Sequence, residues 1–152
     1  MKALTSFLVF SLVVAAIALY FISDKAVIGP VFILLGFVGW IVLRIFRIDL
    51  ESVYPDIIFG AIDNGVLVFA AILGGVYAGV FGAVIGGAAG NTITDGLGGL
   101  FEGHIAENQR RLKINNLRTA TSTMLGKMVG CLWGAGLGLV VVCLISLVWF
   151  GA

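Results

Sequence analysis

Acidic side chains sit inside and beside long apolar stretches of this sequence, at spacings that favour shared helix faces. Asp56 and Asp63 are seven residues apart, Asp95 and Glu102 are also seven apart, and Asn91 precedes Asp95 by four. Seven residues make almost two helical turns, so each pair falls on one face. Asn91, Asp95, Gly98 and Glu102 lie within about 60° of one another around a helix axis. A chain reversal centred on Gly79 sets Asp63 level with Asp95, and Asp56 level with Glu102. Asn64, Asn91, Thr92 and Thr94 add neutral oxygens at similar depth. Charged groups inside a bilayer are costly and mark pathways or sites. Carboxylates held together either retain protons or bind a cation. Oxygen ligands suit hard divalent ions such as Mg²⁺, Mn²⁺ or Fe²⁺. The expected path is therefore Asp63, Asn64, Asn91, Asp95 and Glu102, with Asp56 and Glu107 at its entrance. Asp63, Asp95 and Glu102 are the candidate metal ligands. The competing reading makes 63–65 and 91–96 loops or helix ends, where the acids are ordinary caps.

The elements that must carry these residues follow from composition. Of 152 residues, 61% are hydrophobic and 11% charged, and mean hydropathy is +1.16. A soluble domain is about half apolar and about a quarter charged, so a soluble globule, a disordered tail and a basic nucleic-acid binder are excluded. The expectation is an all-α polytopic transmembrane bundle, forming one membrane domain of about five spans. Those spans are 4–22, 26–43, 57–77, 81–102 and 123–150, with cytoplasmic segments at 44–56 and 103–122. No small-x-small site precedes Asp24, so 4–22 reads as a transmembrane helix and not as a signal peptide. Pro30 is expected in the first turn of its helix, where a missing N–H costs little. Segment 44–56 interleaves charged and apolar residues, as a short interfacial piece would, and Pro55 marks the start of the next helix.

The stretch 57–101 holds 45 residues and two charges, Asp63 and Asp95. One crossing needs about 20 residues, so it is either a hairpin or a single overlong span. The basic residues decide. With a hairpin, Lys2, Arg44, Arg47, Arg110, Arg111, Lys113, Arg118 and Lys127 share one side, and Lys25 alone faces the other. The positive-inside rule favours that arrangement, with the N-terminus cytoplasmic and the C-terminus opposite.

Glycine occurs 22 times, much of it spaced by four. Gly126, Gly130, Gly134 and Gly138 line the last span, and Gly82, Gly86 and Gly90 the fourth. Small-xxx-small stripes let helix backbones approach closely. This glycine-zipper packing serves either contacts within one chain or a homo-oligomer interface. Cys131 and Cys143, 12 residues apart, would be about 18 Å apart on a helix, too far to pair, and read as packing residues. Met124 and Met128 read as packing and His104 as solvated. Arg110, Arg111, Lys113 and Arg118 are expected to anchor the cytoplasmic side, against anionic lipid headgroups. No nucleophile–base pair, P-loop or dinucleotide fingerprint appears, so no enzyme is expected and no cofactor is required.

The run Asp56-Ile-Ile-Phe-Gly-Ala-Ile-Asp63-Asn64-Gly65, the Gly/Ala-rich stretch after it, and Phe101-Glu102-Gly103-His-Ile-Ala-Glu107-Asn-Gln-Arg110-Arg111 resemble the first hairpin of vacuolar iron transporter-type membrane proteins, over about residues 50–112. The orders Asp63-Asn64 and Phe101-Glu102-Gly103 are inverted relative to that family, its second-span methionine is missing, and two helices precede the matched segment. The resemblance implies movement of Fe²⁺ or Mn²⁺ exchanged for protons along a dimer-interface path, with Asp63 and Glu102 in the family's acidic positions. The expected function is divalent-cation or proton-coupled transport by a homo-oligomer in the membrane. The alternative is a non-transporting accessory subunit or scaffold, held through glycine stripes in a larger complex. Membrane lipid is an expected partner and nucleic acid is not.

Overall fold

The computed structural model describes residues 2–111 and 119–150, apart from the side chains of residues 2, 3, 102, 103, 106, 109, 149 and 150. The chain is all-α: α1 (Lys2–Phe21), α2 (Lys25–Ile45), α3 (Leu50–Arg111) and α4 (Ala120–Phe150). All four helices are long and apolar enough to cross a membrane.

Local chemistry sets the helix ends, and it moves several of them from their expected positions. After α2, the Ile48 N–H donates to the Leu43 carbonyl (3.0 Å) and the Arg47 N–H to that of Arg44 (3.1 Å). This is a Schellman ending, and its left-handed position is filled by Arg47 at φ 53°. Ile48 packs against the buried cluster that contains Leu43. Asp49 then caps α3, its Oδ1 accepting from the Glu51 N–H at 3.0 Å. Segment 44–56 is therefore no separate interfacial piece. It is the end of α2, a tight turn and the start of α3, which begins at Leu50 and holds Pro55 within it. Pro30 likewise sits past the first turn of α2. α4 begins at Ala120 because Thr119 and Ser122 cap each other. The Thr119 N–H donates to Ser122 Oγ (2.8 Å), and the Ser122 N–H donates to Thr119 Oγ1 (3.1 Å), a reciprocal box.

Helix α3 is 62 residues long and breaks once, at Ala78 (φ −138°, ψ 26°) and Gly79 (φ 60°, ψ −143°). There the chain doubles back into two antiparallel limbs, 50–78 and 80–111. A Cβ at Gly86 would overlap the Ala70 carbonyl, one at Gly82 the Gly74 carbonyl, and one at Gly98 the ring of Phe59. Gly79 has the only positive φ among the described glycines, and its missing Cβ faces open space, so substitution there costs conformation alone. Gly79→Ala is expected to destabilise the protein by about 1–3 kcal/mol. Gly96→Ala, mid-helix with an equally open Cβ position, should be neutral or gain up to about 1 kcal/mol. Thermal unfolding in detergent distinguishes the two.

α4 runs parallel to the first limb and antiparallel to α2, and so occupies the centre. Gly126 meets Val53 and Asp56, Gly130 meets Ile57, Gly134 meets Ala61, and Gly138 meets Val68. On the other side, Gly29 meets Gly136 and Val140, while Gly36 meets Trp133. Leu43, Val53, Leu125 and Val129 form the buried cluster where α2, α3 and α4 converge. Gly126, Gly130, Gly134 and Gly138 thus face the first limb of α3 from α4, and Gly82, Gly86 and Gly90 face the same limb across the hairpin. α1 stands apart, with none of its apolar window buried. Phe10 touches α2 beside Gly39.

Candidate functional site

The hairpin places Asp63, Asn64, Asn91 and Asp95 in the interior of its limbs, not in loops or at helix ends. Capping therefore does not explain them. Asp63 is half-buried between the limbs, and the Thr94 hydroxyl donates to its Oδ1. Thr94 is buried (1% exposed). Its single proton has weaker acceptors in the carbonyls of Gly90 and Asn91, each 3.1 Å away. A carboxylate is the strongest acceptor of the three. Asn64, on the next position, turns toward α4 and donates from Nδ2 to the Cys131 carbonyl at 3.3 Å.

Asp95 does not face Asp63. Its Oδ2 accepts from Asn91 Nδ2 at 2.9 Å, along its own helix, and the pair is exposed. The correction has a geometric cause. The residue that meets Asp63 across the hairpin is Thr94, a register one residue tighter than a reversal centred on Gly79 gives. One residue is about 100° of rotation, enough to carry Asp95 out of the inter-limb face. The expected four-acid ladder is thus not formed within one chain. The proposed ligand set Asp63, Asp95 and Glu102 is split, since Asp63 and Asp95 have separate partners and the Glu102 side chain lies outside the described residues. Among the described residues, no three His, Cys, Asp or Glu side chains gather to hold a metal ion.

The two entrance acids also differ from each other. Asp56 is buried (2% exposed) on the face of the first limb that meets Gly126. Glu107 is exposed and pairs with Arg111 at 3.1 Å, one turn along the same limb. His104 shares a small surface hollow with them. Lys113 and Arg118 lie outside the described residues.

A basic group joins the polar layer. Lys127 Nζ lies 4.9 Å from the ring centroid of Phe59, one turn before Asp63. Lys127, Asn64, Met128 and Cys131 line one cavity of about 230 Å³ between the hairpin and the outer helices. Cys131 and Cys143 are free thiols on α4. The sequence placed Lys127 near a helix end but gave no sign of its ring partner. The i, i+4 spacing of Phe59 and Asp63 was legible, whereas the register that brings α4 against them was not. The arrangement is a partly buried polar set: one acid between the limbs (Asp63), one buried against α4 about two turns away along the same limb (Asp56), amide and hydroxyl donors, and one ammonium. Compared with family models, with curated proteins and with solved structures, the chain matches none.

Proposed function

We propose that this protein is a five-crossing integral membrane protein that carries protons across the bilayer through Asp63, with Asp56 on the cytoplasmic approach. Two limbs of α3 provide two crossings. The basic ends of α2, α3 and α4 lie on the cytoplasmic side, as the positive-inside rule requires. Glycine stripes between α4 and the first limb act as the packing zipper. The observation that carries the reading is Asp63 itself, a carboxylate held mid-hairpin by the buried Thr94 hydroxyl. Intramembrane carboxylates in such a position serve proton relays and ion pathways. Lys127 shares a cavity with Asn64, next to Asp63, and its positive charge repels a divalent cation about twice as strongly as a proton.

The exposed Asn91–Asp95 pair supports a homo-oligomer. On a lipid-facing surface a carboxylate is expensive, and a second copy packed on the second limb covers it. Ala88 and Gly99, one turn to either side, leave room for close approach. The same face favours one competing reading, a non-transporting subunit whose larger partner covers Asp95. The resemblance of residues 50–112 to vacuolar iron transporter-type proteins points instead to Fe²⁺ or Mn²⁺ as cargo.

Reconstituted liposomes test the reading. Proton flux is expected with wild type, a loss of at least tenfold with Asp63→Asn, and a partial loss with Asp95→Asn. Equal flux in all three would remove transport. Metal flux without proton flux would replace the proton by a divalent ion. Obligate co-purification with a larger complex would support the accessory reading.

A further inference from the structure

Lys127 stands inside α4, seven residues past its start at Ala120. Side chains on a helix lean toward its N-terminus, and a lysine inside a span extends toward the nearer interface. Both tendencies point to the Ala120 end. The ammonium goes the other way. Gly126 faces Val53 and Asp56, so Lys127 leaves α4 about level with Asp56. Its Nζ lies 4.9 Å from the centroid of the Phe59 ring, a residue about one turn further in. Lys127 also lines a cavity with Asn64, Cys131 and Ala135, which lie deeper still.

An opposite charge lies in that direction. Deeper than Asp56 the helices hold two acids, Asp63 and Asp95. Asp95 is exposed and accepts from Asn91. Asp63 is on the next rung of the hairpin. The Phe59 ring packs on Gly98 and Asp63 meets Thr94, so the two contacts are one turn apart on both limbs. Cys131, whose carbonyl accepts from Asn64, lies within the fields of both the Asp63 and the Lys127 charge. A ring holds an ammonium weakly, whereas a carboxylate in a medium of low dielectric attracts it strongly.

We propose that Lys127 is the counter-ion of Asp63. Its ammonium moves from the Phe59 ring to the carboxylate when Asp63 gives up its proton, and returns to the ring when a proton is taken up. That proton goes to water and comes from water, and Lys127 keeps its own throughout. The carboxylate is thereby neutralised inside the span, where a lone charge is costly. The part Lys127 plays in flux rests on the proton-carrying reading of Asp63, and the pairing does not.

Thermal unfolding of the full chain in one detergent tests the pair, and liposome flux tests its use. Asp63→Asn and Lys127→Met should each lower the melting temperature by about 5 °C, since each leaves one charge in the span without its opposite. The double variant should regain at least half of the summed loss, and Lys127→Arg should melt as wild type does. A Lys127→Met chain that folds only together with Asp63→Asn gives the same support. In liposomes Lys127→Met should lower proton flux about tenfold, and Lys127→Arg should retain most of it. Additive losses in the double variant overturn the proposal. So does recovery of Lys127→Met by Asp56→Asn or Glu102→Gln and not by Asp63→Asn, and so does wild-type flux in Lys127→Met. If wild type itself carries no protons, the transport reading falls, and the melting series still decides the pair.

Discussion

Replacing Gly134 by leucine is expected to release α4 from the α3 hairpin and to leave the purified protein aggregated or unfolded at temperatures where wild type is intact. Even the first carbon of a side chain there would overlap the Ala61 carbonyl, and it would also crowd the Ala61 Cα at 2.8 Å. Both are backbone atoms of a helix and cannot move aside without shifting the whole limb. Overpacking a tight core costs about 1–3 kcal/mol and more where nothing yields, so Gly134→Leu should stand at or above the top of that range, at about 3 kcal/mol. Association in lipid has no hydrophobic term to fall back on, because acyl chains solvate leucine as well as another helix does. Close approach of backbones is the main gain, and this position supplies it between α4 and the hairpin. Gly138→Ala provides the contrast. Its Cβ would meet Val68 Cγ1 at 3.2 Å, the end of a side chain that can adjust, so the cost should stay below about 1 kcal/mol. Size-exclusion profiles and thermal unfolding in one detergent should separate the two variants by many degrees.

The second large effect belongs to Asp63. Asn keeps the shape of Asp and can still accept from the Thr94 hydroxyl, but it neither binds nor releases a proton in the working range. Fold should survive the change and proton flux should not, with a loss of at least tenfold in liposomes. Thr94→Val removes the donor and leaves the carboxylate. A hydrogen bond to a charged group contributes about 1.5–3 kcal/mol, and each 1.36 kcal/mol is a factor of ten in rate. Thr94→Val should therefore slow flux by roughly tenfold or more, and Asp63→Asn combined with Thr94→Val should be no worse than Asp63→Asn alone. Additive losses in the double variant would mean that the two side chains act at separate places.

What the sequence disclosed was the long-range plan. Hydropathy marked the long apolar helices, and Gly79 with its glycine-rich surroundings marked the reversal. The sequence could not give register. Whether Asp63 meets Thr94 or Asp95 depends on a single residue at the Ala78–Gly79 turn, and no periodicity resolves that shift. The same is true of Asp49 and of the Thr119–Ser122 box. Each lengthens its helix past the apolar run, because capping is read from side-chain oxygens and not from hydropathy. Pro55 misled for a related reason, since proline is common at a helix start, whereas here Asp49 had already begun the helix. Lys127 over Phe59 was hidden because it depends on the parallel packing of α4 on the first limb, which sequence spacing within either helix does not encode.

All of the site chemistry depends on α3 doubling back at Gly79. Spin labels at Ile62→Cys and Leu97→Cys, with Cys131 and Cys143 replaced by alanine, read that directly. Both positions are exposed (47% and 51%) and border one groove between the limbs. Helices in contact lie about 8–10 Å apart, so the label separation should fall at the short limit of pulsed electron–electron distance measurements. An unbroken helix would hold the same positions roughly 50 Å apart, at 1.5 Å per residue, and that distance would contradict the account.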